Sequence, residues 1–411
     1  MRILILTPQL PYPPHQGTTL RNYYIIRGLT QHHEVTLLTF VEQGQAADDE
    51  TTRPLRQHLY NFYTVPAPTR STAKRLWQLA TTTLPDMAHR LYSREFATML
   101  RCLTQDAHRF DLVQIEGIEL ARYIYDIRVA NKTTPIIFDN HNAETELQKR
   151  NMLTDLRTPR RWAAAFYSLV QVLRLRRFER WACRQADGVT AVSETDLRLL
   201  QTLVNQPGKP LAAIPNSLDV EDMAQAAANC PTDPGTSFDL LFTGKMDYRP
   251  NVDAVLWFAA EIFPLIKAQR PQTTLAVVGQ KPHARLARLH EVDGVTVTGW
   301  VESVRPYLAQ ALVMIMPFRV GSGTRLKLIE AMAAGKAVVS TRVGAEGFPV
   351  ENGRHLILVD EPAQFAQAVL ALLNSPEKRQ ILGKEAAVFA RQYDWRVVIP
   401  QFDAFYSRVM D

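Results

Sequence analysis

The sequence predicts an α/β protein built from two domains, each with a parallel β-sheet. Short apolar segments alternate along the chain with longer stretches whose apolar residues recur at helical spacing. This alternation is typical of a parallel sheet covered by helices on both faces. The chain has 411 residues, enough for two hydrophobic cores of ordinary size. The pattern restarts with an apolar strand at 239–243, after a Pro- and Gly-containing link at 206–210.

Composition and charge are those of a soluble globular protein. Hydrophobic residues make up 46% of the chain and aromatic residues 9%. The formal net charge of +6 arises entirely within residues 1–200, so an anionic partner is expected for the first half, if for either. The three cysteines form no metal-binding or redox spacing and favour a reducing compartment. No signal peptide and no apolar window of about 18 residues is visible, so we expect a cytoplasmic protein.

The first half opens with a strand, a proline-rich loop and a helix. The strand runs from Arg2 to Thr7, and the helix is opened by Gly17. This order is typical of nucleotide-binding folds, but a single glycine is not the dinucleotide fingerprint. Gly17 therefore either borders the sugar or acceptor of a ligand site or forms a tight turn. Further strands are predicted at 35–40, 60–65, 111–115, 136–139 and 187–192.

Polar residues follow the strand at 136–139 directly. Asn140, His141 and Asn142 stand at its carboxyl end, where open parallel sheets bind ligands. A histidine at this place can donate to a substrate oxygen or transfer a proton, because its ordinary pKa lies near neutrality. Capping or packing is the alternative role, and the position at a strand end favours the functional one.

The segment 157–184 combines apolar and basic residues on one predicted helix. It is largely apolar over 162–173, and four arginines follow at spacings of three and four residues, which places them on one helix face. These are Arg174, Arg177, Arg180 and Arg184. The segment is either an amphipathic helix on an anionic membrane surface or a packing element with a solvated charged rim. Nucleic acid is not expected as a partner, because no recognised binding module accompanies the charge.

The stretch 320–341 has the order of a phosphate site: a loop with two glycines, then a helix, then a buried strand. Gly321 and Gly323 allow close approach of the backbone to a ligand, and Thr324 is the candidate cap of the helix. Apolar periodicity predicts that helix over 325–334, ended by Gly335.

An anion such as a diphosphate would be held at the start of this helix. The loop amides and the helix N-terminus supply partial positive charge, and Arg325 and Lys327 stand beside them. The alternative is an ordinary connection whose basic residues are merely solvated.

Glycines also follow other strands of the second half. Its later strands are predicted at 275–278, 295–298, 312–316, 338–341 and 355–359. Gly279, Gly299 and Gly321 come just past strand ends, so we expect a ligand along that edge of the sheet.

Several motifs together make the chain resemble the group 1 retaining glycosyltransferases with the GT-B fold. They are the turn at 214–219, the strand end at 242–245, the segments 277–279 and 298–301, and above all 321–347. The resemblance covers nearly the whole chain and implies two Rossmann-like domains whose parallel sheets face an interdomain cleft. The implied division is an acceptor-binding domain at 1–206, a nucleotide-sugar-binding domain at 207–385, and a C-terminal helix at 386–411 that crosses back to the first domain.

The resemblance and the pattern of the residues together assign roles. Catalytic roles fall to His141, near the transferred sugar, and to three cations that neutralise the leaving diphosphate, Lys245, Arg325 and Lys327. Donor-binding roles fall to Gly17, Gly244, Arg249, Gly279, Trp300, Val301, Ser322, Gly323, Thr324 and Glu330.

Only one of the family's two paired glutamates has a counterpart in this sequence. Glu330 looks like the second of the pair and would bind the ribose hydroxyls. Ser322 stands where the first is expected, so backbone amides near Gly323 would carry more of the sugar's recognition.

The expected reaction is transfer of a sugar, with retention, from a nucleotide diphosphate sugar to a hydroxyl acceptor, in polysaccharide, glycolipid or other glycoconjugate synthesis. The donor is expected to carry UDP or GDP, and the acceptor to be a sugar, a lipid-linked compound or a small molecule. No metal or other cofactor is expected, because basic side chains and a helix N-terminus can neutralise the diphosphate. The alternatives are a nucleotide-sugar 2-epimerase and a noncatalytic scaffold that binds nucleotide sugars. The basic segment 157–184 also allows a location at the inner face of the membrane.

Overall fold

The computed structural model of the protein describes residues 1–14, 17–42, 44–45, 49–106, 109–156, 162–230, 237–321 and 323–411. These residues form two compact units. The first comprises Met1–Ser217 with Val398–Asp411, and the second comprises Leu218–Val397. The chain therefore passes between the units after Ser217 and after Val397, beyond the boundaries expected at 206 and 385.

The first unit contains, within its described part, a seven-stranded sheet in which all neighbouring strands are parallel. Its strands are β1 (Arg2–Thr7), β2 (Glu34–Val41), β3 (Asn61–Pro66), β4 (Leu112–Glu116), β5 (Ile136–Asn140), β6 (Gly188–Ala191) and β7 (Leu211–Ala213). The order across the sheet is β3-β2-β1-β4-β5-β6-β7. The strand order reverses between β1 and β4, the position at which such sheets bind ligands.

Helices connect the strands of the first unit. They are α1 (Gly17–Leu29), α2 (Asp49–Arg56), α3 (Thr72–Thr81), α4 (Asp86–Arg90), α5 (Arg94–Thr104), α6 (Tyr123–Ala130), α7 (Glu144–Leu156), α8 (Trp162–Gln185) and α9 (Glu194–Val204). Strands β4 and β5 are buried along their whole length. Burial on both faces suits their apolar residues, but β4 also buries Gln114 and Glu116, and β5 also buries Asp139 and Asn140.

The second unit repeats this architecture with a six-stranded parallel sheet among its described residues. Its strands are β8 (Leu240–Thr243), β9 (Leu275–Val278), β10 (Val295–Gly299), β11 (Val313–Met316), β12 (Ala337–Ser340) and β13 (Ile357–Leu358). Their order is β10-β9-β8-β11-β12-β13, so the reversal lies between β8 and β11. Two Rossmann-like domains were predicted, and the two sheets confirm them.

The helices of the second unit complete the chain. They are α10 (Val220–Ala228), α11 (Arg249–Trp257), α12 (Phe263–Gln269), α13 (Arg305–Gln310), α14 (Leu326–Ala333), α15 (Pro362–Leu373), α16 (Pro376–Ala390) and α17 (Trp395–Met410). Short helical turns occupy Phe258–Ile262, Ala284–Glu291 and Arg391–Tyr393. Helix α17 starts in the second unit, and its residues from Val398 onward belong to the first. Within the described parts of the chain, no helix combines the length and hydropathy needed to cross a bilayer.

The structure confirms the helix and the strand predicted within 320–341, but not the predicted helix cap. The predicted helix is α14, and Gly335 ends it with a left-handed φ of +68°. The N-terminal cap position is occupied by Arg325, whose side chain makes no capping hydrogen bond. Thr324 lies one residue too early, so its predicted capping role is wrong.

Candidate functional site

Three glycines pack backbone to backbone at the carboxyl ends of the strands in the second sheet. Gly244 follows β8, Gly279 follows β9 and Gly299 ends β10. The Gly244 amide donates to the carbonyl of Val278 at 2.9 Å, and the Gly279 amide donates to that of Gly299 at 3.2 Å. At Gly279, where φ is +153°, a Cβ would collide with the Gly244 carbonyl. The glycine-rich edge predicted from the sequence is therefore present, and Gly279 requires glycine for steric reasons.

Lys327 of α14 reaches this edge where the strand order reverses. Its ammonium donates to the carbonyl of Thr243 at 2.6 Å and to Oδ1 of Asn251 at 3.0 Å. The rings of Phe242 and Phe318 lie 4.9 and 5.2 Å from Nζ. A cation is thus held against aromatic faces at the carboxyl end of the sheet.

Arg325 stands at the start of the same helix. Its guanidinium donates to the carbonyls of Val343 at 2.5 Å and Gly323 at 3.3 Å. A Cβ on Gly321 would approach this guanidinium to 2.7 Å, at a φ of +122°. Glycine at 321 therefore leaves the space that the arginine occupies.

Burial shapes the ionisation of this site. Desolvation, and then the charge of Arg325, lower the pKa of Lys327 to about 7. Desolvation raises the pKa of Glu330, although Lys327 acts in the opposite direction. A bound anion would favour the charged lysine and restore its pKa toward the ordinary value.

Asn251, in the first turn of α11, was missed by the sequence reasoning. Its side chain is 6% exposed; Nδ2 donates to the carbonyl of Lys245 at 2.8 Å, and Oδ1 accepts from Lys327. The amide therefore joins the loop after β8 to the lysine. A polar residue beside a predicted phosphate loop was the only signal, and the loop's path was needed to interpret it.

The other predicted donor residues at this edge are more accessible. The Lys245 side chain is 39% exposed and lies 3.9 Å from the Asp247 carboxylate, and Arg249 is exposed at the start of α11. Trp300 is 71% exposed after β10, and Val301 beside it is half-buried.

Three further residues of the glycine loop, Ser322, Gly323 and Thr324, were predicted to bind the donor. Gly323 has a left-handed φ of +76°, and Gly323 and Thr324 are half-buried. Ser322 lies outside the residues that the structure describes. The role predicted for Ser322 stays a prediction.

A buried ionic cluster lies at the carboxyl edge of the first sheet, around His141. Nε2 of His141 is 2.8 Å from Oε2 of Glu116, the last residue of β4. Gln114 donates to the other oxygen of Glu116 at 2.5 Å. Burial, and then the charge of Asp139, raise the pKa of Glu116 to about 7. The predicted functional histidine is therefore held by a carboxylate, a contact compatible with proton transfer or hydrogen-bond donation.

Arg21 and Asp139 form the second half of this cluster. Nε and NH2 of Arg21 donate to the two carboxylate oxygens at 2.7 and 2.9 Å, with both side chains almost fully buried. Thr190 adds a hydrogen bond at 2.5 Å. Burial alone would raise the pKa of Asp139, but the Arg21 charge and hydrogen bonds hold it down to about 2.

Ligand atoms of Glu116, Asp139 and His141 all lie within 4.8 Å of one another, a spacing that a metal ion could use. Both oxygens of Asp139 already accept from Arg21, however, and a guanidinium would repel a metal ion at that distance. The protein thus supplies its own cation to this cluster, and these three residues do not fit a metal.

Gly17 begins α1, as predicted. A Cβ there would meet no atom within 4 Å, so packing does not require glycine at this position. Its predicted contact with the sugar or acceptor stays a prediction.

Three of the four arginines in the predicted stripe have structural partners in the described part of the segment, which begins at residue 162. Arg174 donates to the carbonyl of Leu79 at 2.8 Å, near the end of α3. Arg180 and Arg184 donate to carbonyls at the end of α9, at 2.7 and 2.9 Å. Cations at helix C-termini stabilise those ends, so much of the predicted stripe serves packing.

Comparison with known proteins finds two glycosyltransferase family models on this chain. One, described as a glycosyl transferase 4-like domain, matches residues 16–217. The other, described as glycosyl transferases group 1, matches residues 237–375. The two matches cover most of both units.

Curated relatives match over part of their length. A phosphatidyl-myo-inositol mannosyltransferase of Mycobacterium tuberculosis is 30% identical over 221 residues, which is 49% of this chain and 55% of that protein. A D-inositol 3-phosphate glycosyltransferase of Pseudarthrobacter chlorophenolicus is 34% identical over 193 residues, 43% of this chain and 44% of that protein. The chain thus spans about half the length of the curated relatives it matches.

Solved structures match over the whole chain. Sucrose-phosphate synthase of Thermosynechococcus elongatus has a TM-score of 0.70 at 17% identity, covering 100% of this chain and 99% of that one. HepE of Anabaena, solved with UDP and glucose, has a TM-score of 0.65 at 15% identity, covering 99% of each chain. These likenesses confirm the predicted GT-B fold class. The two family models show that the chain belongs to the group 1 glycosyltransferases.

Proposed function

We propose that the protein transfers a sugar from a nucleotide diphosphate sugar to a hydroxyl acceptor, with retention at the anomeric carbon. The observation that carries the proposal is the cationic pocket of the second unit. There Lys327, Arg325 and the N-terminus of α14 meet glycine backbones at the reversal of strand order. Such an arrangement suits a diphosphate, because it combines donors, positive charge and close backbone approach. UDP in the HepE structures supports a nucleotide diphosphate donor, and we favour UDP over GDP.

The chemistry follows from where charge develops. The bond from the anomeric carbon to the diphosphate breaks while a bond to the acceptor oxygen forms on the same face, and the acceptor proton passes to a phosphate oxygen. Negative charge grows on the leaving diphosphate, where Lys327, Arg325 and the exposed Lys245 stabilise it without a metal. His141 keeps its predicted role as a hydrogen-bond donor to the sugar or the acceptor.

Two measurements test this function against the alternatives. In a thermal unfolding panel of UDP, GDP, ADP and dTDP, UDP is expected to raise the melting temperature most, because a ligand bound by the folded state alone stabilises it. UDP release from UDP-sugars should then require an acceptor and give a product of unchanged anomeric configuration by NMR. Conversion of the donor without acceptor would indicate a 2-epimerase, binding without turnover a scaffold, and an inverted product would exclude retention.

We further propose that the acceptor is presented at an anionic membrane surface, which α8 contacts. Four exposed apolar side chains recur on one face of this helix, with exposed fractions of 43 to 68%. They are Trp162, Phe166, Leu169 and Leu173. Arg176 and Arg177, one turn further on, are also exposed and supply charge complementary to anionic lipid. The similarity to a phosphatidyl-myo-inositol mannosyltransferase supports a lipid acceptor.

Liposome flotation tests this contact. The protein is expected to float with vesicles containing phosphatidylglycerol and not with pure phosphatidylcholine, and F166S/L169S should abolish flotation. I381S/V388S, at exposed positions of α16, is the matched control and should float normally. Equal flotation of both double variants would exclude α8 as the contact.

A further inference from the structure

His141 is fixed along one edge of its ring and open along the other. Nε2 faces Glu116 at 2.8 Å and Asp139 at 3.7 Å. Within the described part of the chain, Nδ1 makes no hydrogen bond and is not among the buried polar atoms that lack a partner, and the side chain is 14% exposed. Gly117, with a left-handed φ of +84°, turns the backbone beside the ring on the Nδ1 side. The ring therefore presents one nitrogen to the protein interior and leaves the other available.

The carboxylate that holds Nε2 cannot turn away. One oxygen of Glu116 contacts His141, and the other accepts from Nε2 of Gln114. The amide oxygen of Gln114 accepts in turn from the hydroxyl of Tyr406 in α17. Glu116, Gln114 and Tyr406 are all fully buried. Each link of this chain of hydrogen bonds fixes the orientation of the next.

Glu116 is also the counter-charge that remains for His141. Asp139, the other carboxylate facing Nε2, is matched by the guanidinium of Arg21. Burial acts to lower the pKa of His141, but the hydrogen bond and charge of Glu116 outweigh it and raise that pKa; Asp139 adds to the rise and Arg21 opposes it.

We propose that Glu116 is a positioning residue, which accepts from Nε2–H of His141 and so turns that edge of the ring inward, and that the doubly protonated ring presents Nδ1–H as the donor to a ligand oxygen. The identity of that oxygen, on the transferred sugar or the acceptor, rests on the proposed function. The orientation of the ring does not, and it can be measured without turnover.

The first measurement is NMR on the full-length protein with ¹⁵N-labelled histidine, with His141 assigned by loss of its signals in H141Q. In the wild type at high pH, the neutral ring is expected to carry its proton on Nε2. Observation of the Nδ1–H tautomer would overturn the proposal, and this test requires no variant of Glu116.

The second measurement is the pKa of His141 in E116Q, which removes the charge and keeps the side-chain volume. The pKa is expected to fall by about one unit or more, and the alkaline limb of kcat/KM, where the ring loses its Nδ1 proton, to move by the same amount. E179Q is the matched control, because Glu179 is equally buried and contacts Asn140 and Thr145, not His141. An unchanged pKa in E116Q, or an equal fall in E179Q, would overturn the proposal. Absence of any transferase activity would overturn the proposed function and leave the NMR result intact.

Discussion

Replacing Arg21 by methionine is expected to lower the free energy of unfolding by about 3–5 kcal/mol, because it leaves the fully buried Asp139 carboxylate without its cation. Methionine keeps much of the apolar packing, including contact with the Phe402 ring that lies 5.6 Å from the guanidinium carbon. Urea denaturation at pH 7 measures the effect.

R2M is the matched control for this loss. Arg2 also pairs with an aspartate, Asp111, at 3.2 Å, but both side chains are more than a third exposed. Its removal should therefore cost no more than about 1 kcal/mol. If R21M cost as little as R2M, the buried pair would not stabilise the first unit.

The difference in free energy of unfolding between wild type and R21M should also depend on pH. The pKa of Asp139 is depressed from 3.8 to about 2 in the folded state. Its stabilising contribution is therefore complete above the unfolded value and is lost as the pH falls toward 2. The stability difference between wild type and R21M should therefore shrink as the pH falls, because burial without Arg21 raises the pKa of Asp139 in R21M, so that its carboxyl takes up a proton at a higher pH than in the wild type.

Replacing Lys327 by methionine is expected to lower the turnover of a nucleotide diphosphate sugar by about 10²–10³-fold, the usual effect of removing one preorganised donor from developing negative charge. The effect should fall mainly on kcat, because the charge grows as the diphosphate leaves. Steady-state nucleotide release measures it, under the reaction proposed above.

K336M is the control, because Lys336 is also a half-buried lysine that donates to backbone carbonyls, those of Ala309 and Ala311. It precedes β12 and so stands at the amino end of a strand, whereas Lys327 stands at the carboxyl edge. The two variants should lose similar stability, and only K327M should lose turnover. Equal losses of turnover would remove Lys327 from the mechanism.

Nucleotide affinity should also depend on pH through Lys327. Its pKa of about 7 in the free protein means that binding an anion takes up a proton above that pH. UDP affinity should thus weaken as the pH rises from 7 to 9, by up to about tenfold per unit. Calorimetry should show this slope in the wild type and a flatter one in K327M.

Strands and the loop-helix-strand signal at 320–341 were predictable because buried parallel strands and glycine-ended helices have strong local patterns. Strand β7 was not predicted, since Leu211–Ala213 has three half-buried residues and gains its conformation only by pairing with β6. The cap of α14 was misplaced for a related reason. Arg325 occupies the cap position, and its side chain bonds the carbonyl of Val343, a partner distant in sequence.

The residues of the candidate site also differ in whether a local pattern identifies them. Lys327 and His141 were predictable because each stands beside a glycine loop or a strand end. Glu116, Arg21 and Asn251 were not predictable, because each contacts its partner from a distant part of the chain. Glu116 and Arg21 are also buried in the folded protein. A single charged residue inside an apolar strand gives no indication of its partner until the sheet order brings the two together.

The passage of α17 into the first unit limits how the protein can be divided. Phe402 and Tyr406 are fully buried there, the Tyr406 hydroxyl binds Gln114, and His33 pairs with Asp403 at 2.8 Å. A fragment ending at Ser217 would expose the apolar surface under those rings and leave Gln114 without its partner. The modular unit for expression or domain exchange is therefore discontinuous: a transplantable first half must carry the last fourteen residues, Val398–Asp411, with it.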